Sequence, residues 1–124
     1  MLHRCEPCTS KVEPDKAAIA GYALLSLYKI TKNLRYLDVA LATARTLAAT
    51  QNNGTNTSAP WPFRVDAETG MALDGRKNGN MAYALRLYRT LVELGYNQFT
   101  NPAARLWHWM SQVQLASLKV CQVL

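Results

Sequence analysis

The sequence predicts an all-α chain of two tandem helical hairpins, four main helices in all, with a small β-hairpin in the connection between them. Three observations predict it. Apolar residues recur at helical spacing over four separate stretches, Pro, Gly and Asn clusters punctuate those stretches, and the chain repeats itself at an offset of 60 residues. At 124 residues, with 49% hydrophobic and 18% charged residues, the composition is that of one globular domain over residues 1–124.

Residues 1–13 show no periodicity and read as an irregular lead-in. Pro14 and Asp15 then open the first helix, since a first-turn proline forgoes an N–H that would have had no partner and an acid suits the positive end of the dipole. From Ala17 to Ile30 the residues are apolar nearly all the way round, which predicts a helix buried on most sides. Thr31-Lys32-Asn33 form a short connection, so the second helix must run back antiparallel. There Leu37, Ala40, Leu41, Ala44, Leu47 and Ala48 form one stripe, with Asp38, Arg45 and Thr46 facing away.

The segment from Gln51 to Ser58 is polar and turn-rich and ends that helix. It holds two Asn-x-Ser/Thr sequences, at Asn53 and Asn56, which matter only in a secretory eukaryotic setting. Trp61 to Gly70 reads as a short extended piece and a turn, because Pro60 and Pro62 exclude helix and Gly70 suits a positive φ. Met71 to Leu73 pairs back as a second strand. A third helix is expected from about Asn80 to Leu94, closed by Gly95 in a left-handed cap. Asn101 and Pro102 give an N-cap and first-turn proline for a fourth helix to about Val120, whose inner stripe is Leu106, Trp109, Met110, Val113 and Val120.

The offset of 60 matches Leu25, Leu27, Tyr28, Leu34, Tyr36, Ala44 and Arg45 with Leu85, Leu87, Tyr88, Leu94, Tyr96, Ala104 and Arg105. Repeat units thus cover about 15–60 and 75–120. The first helix of each unit is the more apolar, so the first helices should lie inside and their partners outside. Units of this kind bury their apolar faces only by stacking on neighbours, and two are few for that.

Leu25 to Lys29, Arg35 to Ala40, Gln51, and Trp61-Pro62-Phe63-Arg64-Val65-Asp66-Ala67-Glu68-Thr69-Gly70 together resemble the six-hairpin (α/α) toroids of carbohydrate-active proteins. The likeness covers roughly Pro14 to Met110. It implies a glycoside-hydrolase or polysaccharide-lyase-like array of which this chain holds about two hairpins. As such a fragment it would be inactive alone, with a carbohydrate as possible ligand.

In that reading Asp66, Glu68 and Asp74 supply the catalytic carboxyls, since glycoside hydrolysis needs one protonated and one ionised group about 5–10 Å apart. Trp61 stacks on a sugar ring and Arg64 forks onto a uronate carboxylate. A second reading of the same residues is structural: Asp66 bonds the turn that follows it, Glu68 is solvated, Trp61 and Phe63 plug the gap above the helices, and Arg64 pairs with Asp66.

The other function classes gain little. The net charge of +6 is scattered over presumptive polar faces, with only Arg76 and Lys77 adjacent, so no nucleic-acid stripe is expected. Cys5 and Cys8 form a C-x-x-C pair with no second pair at zinc spacing, which leaves a local disulfide or free thiols. Cys121 reads as a small apolar helix residue. There is no Gly-rich phosphate loop, H-E-x-x-H or G-x-S-x-G, so no cofactor or metal is implied. No apolar run of membrane-spanning length and no signal peptide occur, from which a soluble, unprocessed chain is expected. The rival to the carbohydrate reading is a non-catalytic helical-repeat module that uses its uncovered apolar faces to bind a protein partner, further hairpins or a second copy. Binding of acidic polymers by net charge is the weaker alternative.

Overall fold

A computed structural model describes residues 11–74 and 81–114. The chain order is β1 (Lys11–Val12), α1 (Pro14–Thr31), α2 (Leu34–Thr50), β2 (Arg64–Asp66), β3 (Ala72–Asp74), α3 (Ala82–Glu93), a 3₁₀ turn (Asn97–Phe99), α4 (Thr100–Trp109) and a π-helical extension (Met110–Gln114). The architecture is all-α, four main helices with one small sheet inserted in the long connection.

The α1–α2 turn is built from three local devices. Lys32 takes the left-handed conformation (φ 59°) and its N–H donates to the Tyr28 carbonyl at 2.7 Å, which stops α1. Asn33 then caps α2, its Oδ1 accepting the Arg35 N–H at 3.0 Å. The Lys32 ammonium lies 5.5 Å from the Tyr28 ring centre, a cation–π contact across the turn. At the end of α3, Gly95 (φ 105°) forms the expected cap: its N–H donates to Val92 O and the Tyr96 N–H to Leu91 O, the paired bonds of a Schellman motif.

α2 buries the stripe its sequence predicts, Leu37, Ala40, Leu41, Ala44 and Leu47. α3 is covered on most of its circumference, with Ala84, Leu85, Leu87, Tyr88 and Leu91 in the core, because α1, α2 and α4 all pack against it. Gly21 marks the crossing of three helices. A Cβ there would lie 3.1 Å from both Leu87 of α3 and Thr43 of α2, so a glycine lets α1 approach both.

Four expectations are corrected. The first helix is not buried on most sides: α1 buries only Pro14, Ala18, Gly21 and Leu25, while Ile19, Leu27 and Ile30 are 41%, 42% and 80% exposed. The reason is geometric, since α2 and α3 cover one side of α1 and no other element among the described residues packs on the opposite side. The lead-in is not wholly irregular, because Lys11 and Val12 form β1 and pair antiparallel with β2 (Lys11 with Asp66, Val12 with Val65). The third helix starts at Ala82 rather than near Asn80. The fourth helix starts at Thr100, with no side-chain cap and Pro102 at its third position, because the 3₁₀ turn winds the chain before Asn101 is reached. It passes into the π-helical extension at Met110, and its expected course to Val120 lies outside the described residues.

The loop after α2 is pinned to α4. Gly54 holds φ 70°, and a Cβ there would come within 2.5 Å of the Trp109 indole, whose Nε1–H donates to the Thr55 carbonyl at 2.9 Å. Gly54→Ala should therefore cost about 1–2 kcal/mol of left-handed strain plus about 1–3 kcal/mol of overpacking. Gly70→Ala, at φ 75° with nothing within 4 Å, should cost the strain alone. Urea denaturation of the two variants checks this, and equal losses would remove the Trp109 contact as the cause.

Candidate functional site

The long connection begins with a buried polar bridge. Gln51 is 8% exposed, its Nε2 donates to the Pro102 carbonyl at 3.1 Å, and its Oε1 accepts the Tyr88 hydroxyl at 2.8 Å. One side chain at the end of the first hairpin thus satisfies groups on both helices of the second. Burial raises the Tyr88 pKa well above the ordinary phenol value of 10.0, against an opposing pull from the Arg105 charge. The Tyr88 ring also stacks on Phe99, with centroids 5.7 Å apart. At the surface, Arg105 donates to the Asn53 side chain at 3.3 Å.

Nine residues further on, the Asn52 N–H donates to Pro60 O at 3.0 Å and closes the loop, which delivers Trp61 into the core. Trp61 is 1% exposed and its Nε1–H donates to the Leu47 carbonyl at 3.0 Å. At that burial the ring is packed as part of a wall and is no open platform for a sugar to stack on, as the plug reading has it. Burial of its large ring stabilises the loop on α2, with the indole N–H satisfied by a carbonyl.

The β2–β3 hairpin pairs Arg64 with Asp74 and Val65 with Ala72, with an irregularity between Arg64 and Val65. Asp66 makes the turn. Its Oδ1 accepts the Glu68 N–H at 2.8 Å and the Thr69 N–H at 3.1 Å, while its own backbone bonds Met71 and Gly70. That is an Asx turn closed by Gly70 at φ 75°. Glu68 is exposed at the hairpin tip, and Arg64 is partly buried with its guanidinium 4.8 Å from the Phe63 ring centre. Asp74 closes β3 opposite Arg64. The structure therefore brings Arg64, Asp66, Glu68 and Asp74 onto one small hairpin, Glu68 in its turn and the others in its strands.

The sheet roofs a groove of about 540 Å³ against α1 and α2. Val12, Ala17, Leu47, Trp61, Pro62, Val65 and Ala72 give it apolar walls. Thr43, Thr46 and Thr50 line the α2 side, and each hydroxyl already donates to a backbone carbonyl one turn earlier. Among the described residues Asp66 is the one ionisable residue lining the groove, and its Oδ1 carries the turn bonds described above. The sequence reading missed this groove, because threonines on the polar side of α2 look solvated until a sheet is laid over them.

Among the described residues no three His, Cys, Asp or Glu side chains cluster as a metal site, and no helix is long and apolar enough to cross a membrane. Cys5, Cys8 and Cys121 lie outside the described residues. Compared with known proteins, the chain matches no family model, no curated protein and no solved structure.

The buried bridge gives a spectroscopic prediction. A phenol whose folded pKa is raised contributes stability in full below the unfolded value of about 10, and loses it as pH rises beyond that value. In alkaline titration one of the six tyrosines should stay neutral until the chain unfolds, and Tyr88→Phe should abolish that late step. The variant leaves the Gln51 oxygen unpaired and should lose about 1–3 kcal/mol. Ionisation of all tyrosines in one early step would overturn the assignment.

Proposed function

We propose that this chain is a two-hairpin helical-repeat module that binds a protein partner through the open face of α1 and performs no catalysis by itself. The observation that carries the reading is the continuous apolar stripe on that face: Ile19, Ala20, Ala23, Leu27 and Ile30 are all exposed, on the side of the helix away from Ala18, Gly21 and Leu25. Exposed apolar stripes of this kind mark interaction surfaces. Their position on the first helix of the first unit is where a further helical hairpin would stack.

The resemblance to the (α/α) toroids supports the same use of that face, since such arrays grow by laying hairpins side by side. In that setting the chain is an inactive part of a larger carbohydrate-active protein. The residues expected to act on sugar favour the module by itself: Trp61 is core, one carboxylate oxygen of Asp66 holds its turn, and Glu68 stands exposed at a hairpin tip.

The purified chain should release no product from a panel of uronic-acid polysaccharides. It should bind an apolar dye such as ANS, and the double variant Leu27→Asp, Ile30→Asp should reduce the dye signal severalfold while keeping its helical circular dichroism. Turnover that disappears in Glu68→Gln would overturn the non-catalytic reading. A dye signal unchanged in the double variant would overturn the assignment of the face.

A further inference from the structure

We infer that Asn53 is a site of spontaneous deamidation that the folded loop holds in check, so that loss of its amide records an opening of the strap between α2 and α4 and makes that opening permanent.

Asn53 is followed by Gly54, a reactive setting for an asparagine amide, because the Gly54 nitrogen reaches the Asn53 side-chain carbonyl carbon with no Cβ in its way. Once solvent hydroxide has taken the Gly54 N–H proton, the nitrogen bonds to Cγ, the C–N bond of the amide breaks and ammonia leaves. Water then opens the cyclic imide at either carbonyl, giving aspartate or isoaspartate. Nothing is oxidised or reduced, and ammonia is exchanged for water. Asn53 stands exposed, so hydroxide and water reach it.

Three contacts oppose the first step. The Gly54 N–H donates to Asn52 Oδ1 at 2.8 Å, which holds the proton that must leave. Asn53 Oδ1 accepts from Arg105 at 3.3 Å, which ties the side chain to α4. The Gly54 backbone is wedged against the Trp109 indole, where a Cβ would lie 2.5 Å from the ring, so the main-chain swing that brings nitrogen onto Cγ is resisted. Trp109 is itself fixed, 3% exposed and bonded to the Thr55 carbonyl at 2.9 Å. The Arg105 charge also polarises the carbonyl it touches, which favours attack. That contact is long and exposed, so solvent screens the charge and the tether is the larger effect.

The products undo the strap. Isoaspartate routes the main chain through the former side-chain methylene, which lengthens it between Asn52, whose N–H is bonded to Pro60 O, and Gly54, which is fitted to Trp109. One of those two fastenings must give. Either product also adds a carboxylate and lowers the net charge of +6 by one. The Gln51 bridge beneath is untouched, so the hairpins stay joined while the loop over them is released.

Peptide mapping by mass spectrometry of the full chain, incubated in mildly alkaline buffer with and without urea, follows ammonia loss at Asn53. The folded chain should convert there at least about tenfold more slowly than the chain in urea, because only the opened fraction reacts. Arg105→Met and Asn52→Ala each remove one tether, and each should narrow that ratio at least about threefold while keeping the helical circular dichroism of the parent. Chain converted at Asn53, separated by ion exchange, should be cut severalfold faster between residues 52 and 60 in limited proteolysis. Equal rates with and without urea would overturn the gating, and ratios unchanged in both variants would overturn the tethers. Cleavage unaltered by conversion would overturn the release of the strap. Ammonia loss in urea that spares Asn53 would remove it as the site.

Discussion

The buried polar join between the two halves of this chain is made by Gln51. A neutral amide, buried where α2 ends, donates to a carbonyl of α4 and accepts from a hydroxyl of α3. Neither contact is worth much net of the water it displaces, but any of the three groups left unpaired in that position would cost about 1–3 kcal/mol. The bridge therefore acts less as glue than as a register. The placement of the second hairpin that satisfies all three groups is also the one in which α1 and α2 pack against α3. The loop behind it is held in the same spirit, by Trp61 on Leu47 and Trp109 on Thr55, each indole N–H finding a main-chain oxygen.

How far the sequence alone discloses this depends on whether burial leaves a period. α2 is buried on one side only, so its stripe of Leu37, Ala40, Leu41, Ala44 and Leu47 can be read directly. The hairpin from Arg64 to Asp74 is legible from its prolines and Gly70, and the left-handed cap from Gly95. β1 is not, since two residues are too few to show alternation. The Gln51 bridge is invisible in sequence because its partners stand 37 and 51 residues away. α1 misleads for a different reason: apolar residues announce that a surface is to be covered, and say nothing of whether the cover lies in the same chain.

The same distinction separates the candidate site from its sequence reading. Trp-Pro-Phe-Arg-Val-Asp contains residue types that recognise sugars, yet here the tryptophan fills space and the aspartate shapes a turn. A motif of that composition is equally what a β-hairpin needs to land on a helical layer. What the hairpin creates instead is the groove beneath it, whose walls come from β1, α1, α2 and the strands together, so that no single stretch of sequence encodes it.

Gly21 has one more consequence. Its counterpart in the second repeat, 60 positions on, is Met81, a long side chain fully enclosed by the core. The close three-way crossing that a bare backbone permits on α1 thus has no equivalent on α3, and the two ends of this short array are unlike. The sequence repeat is therefore not matched by a repeat of the packing at this position: one unit admits its neighbours by lacking a side chain where the other fills the same place with one.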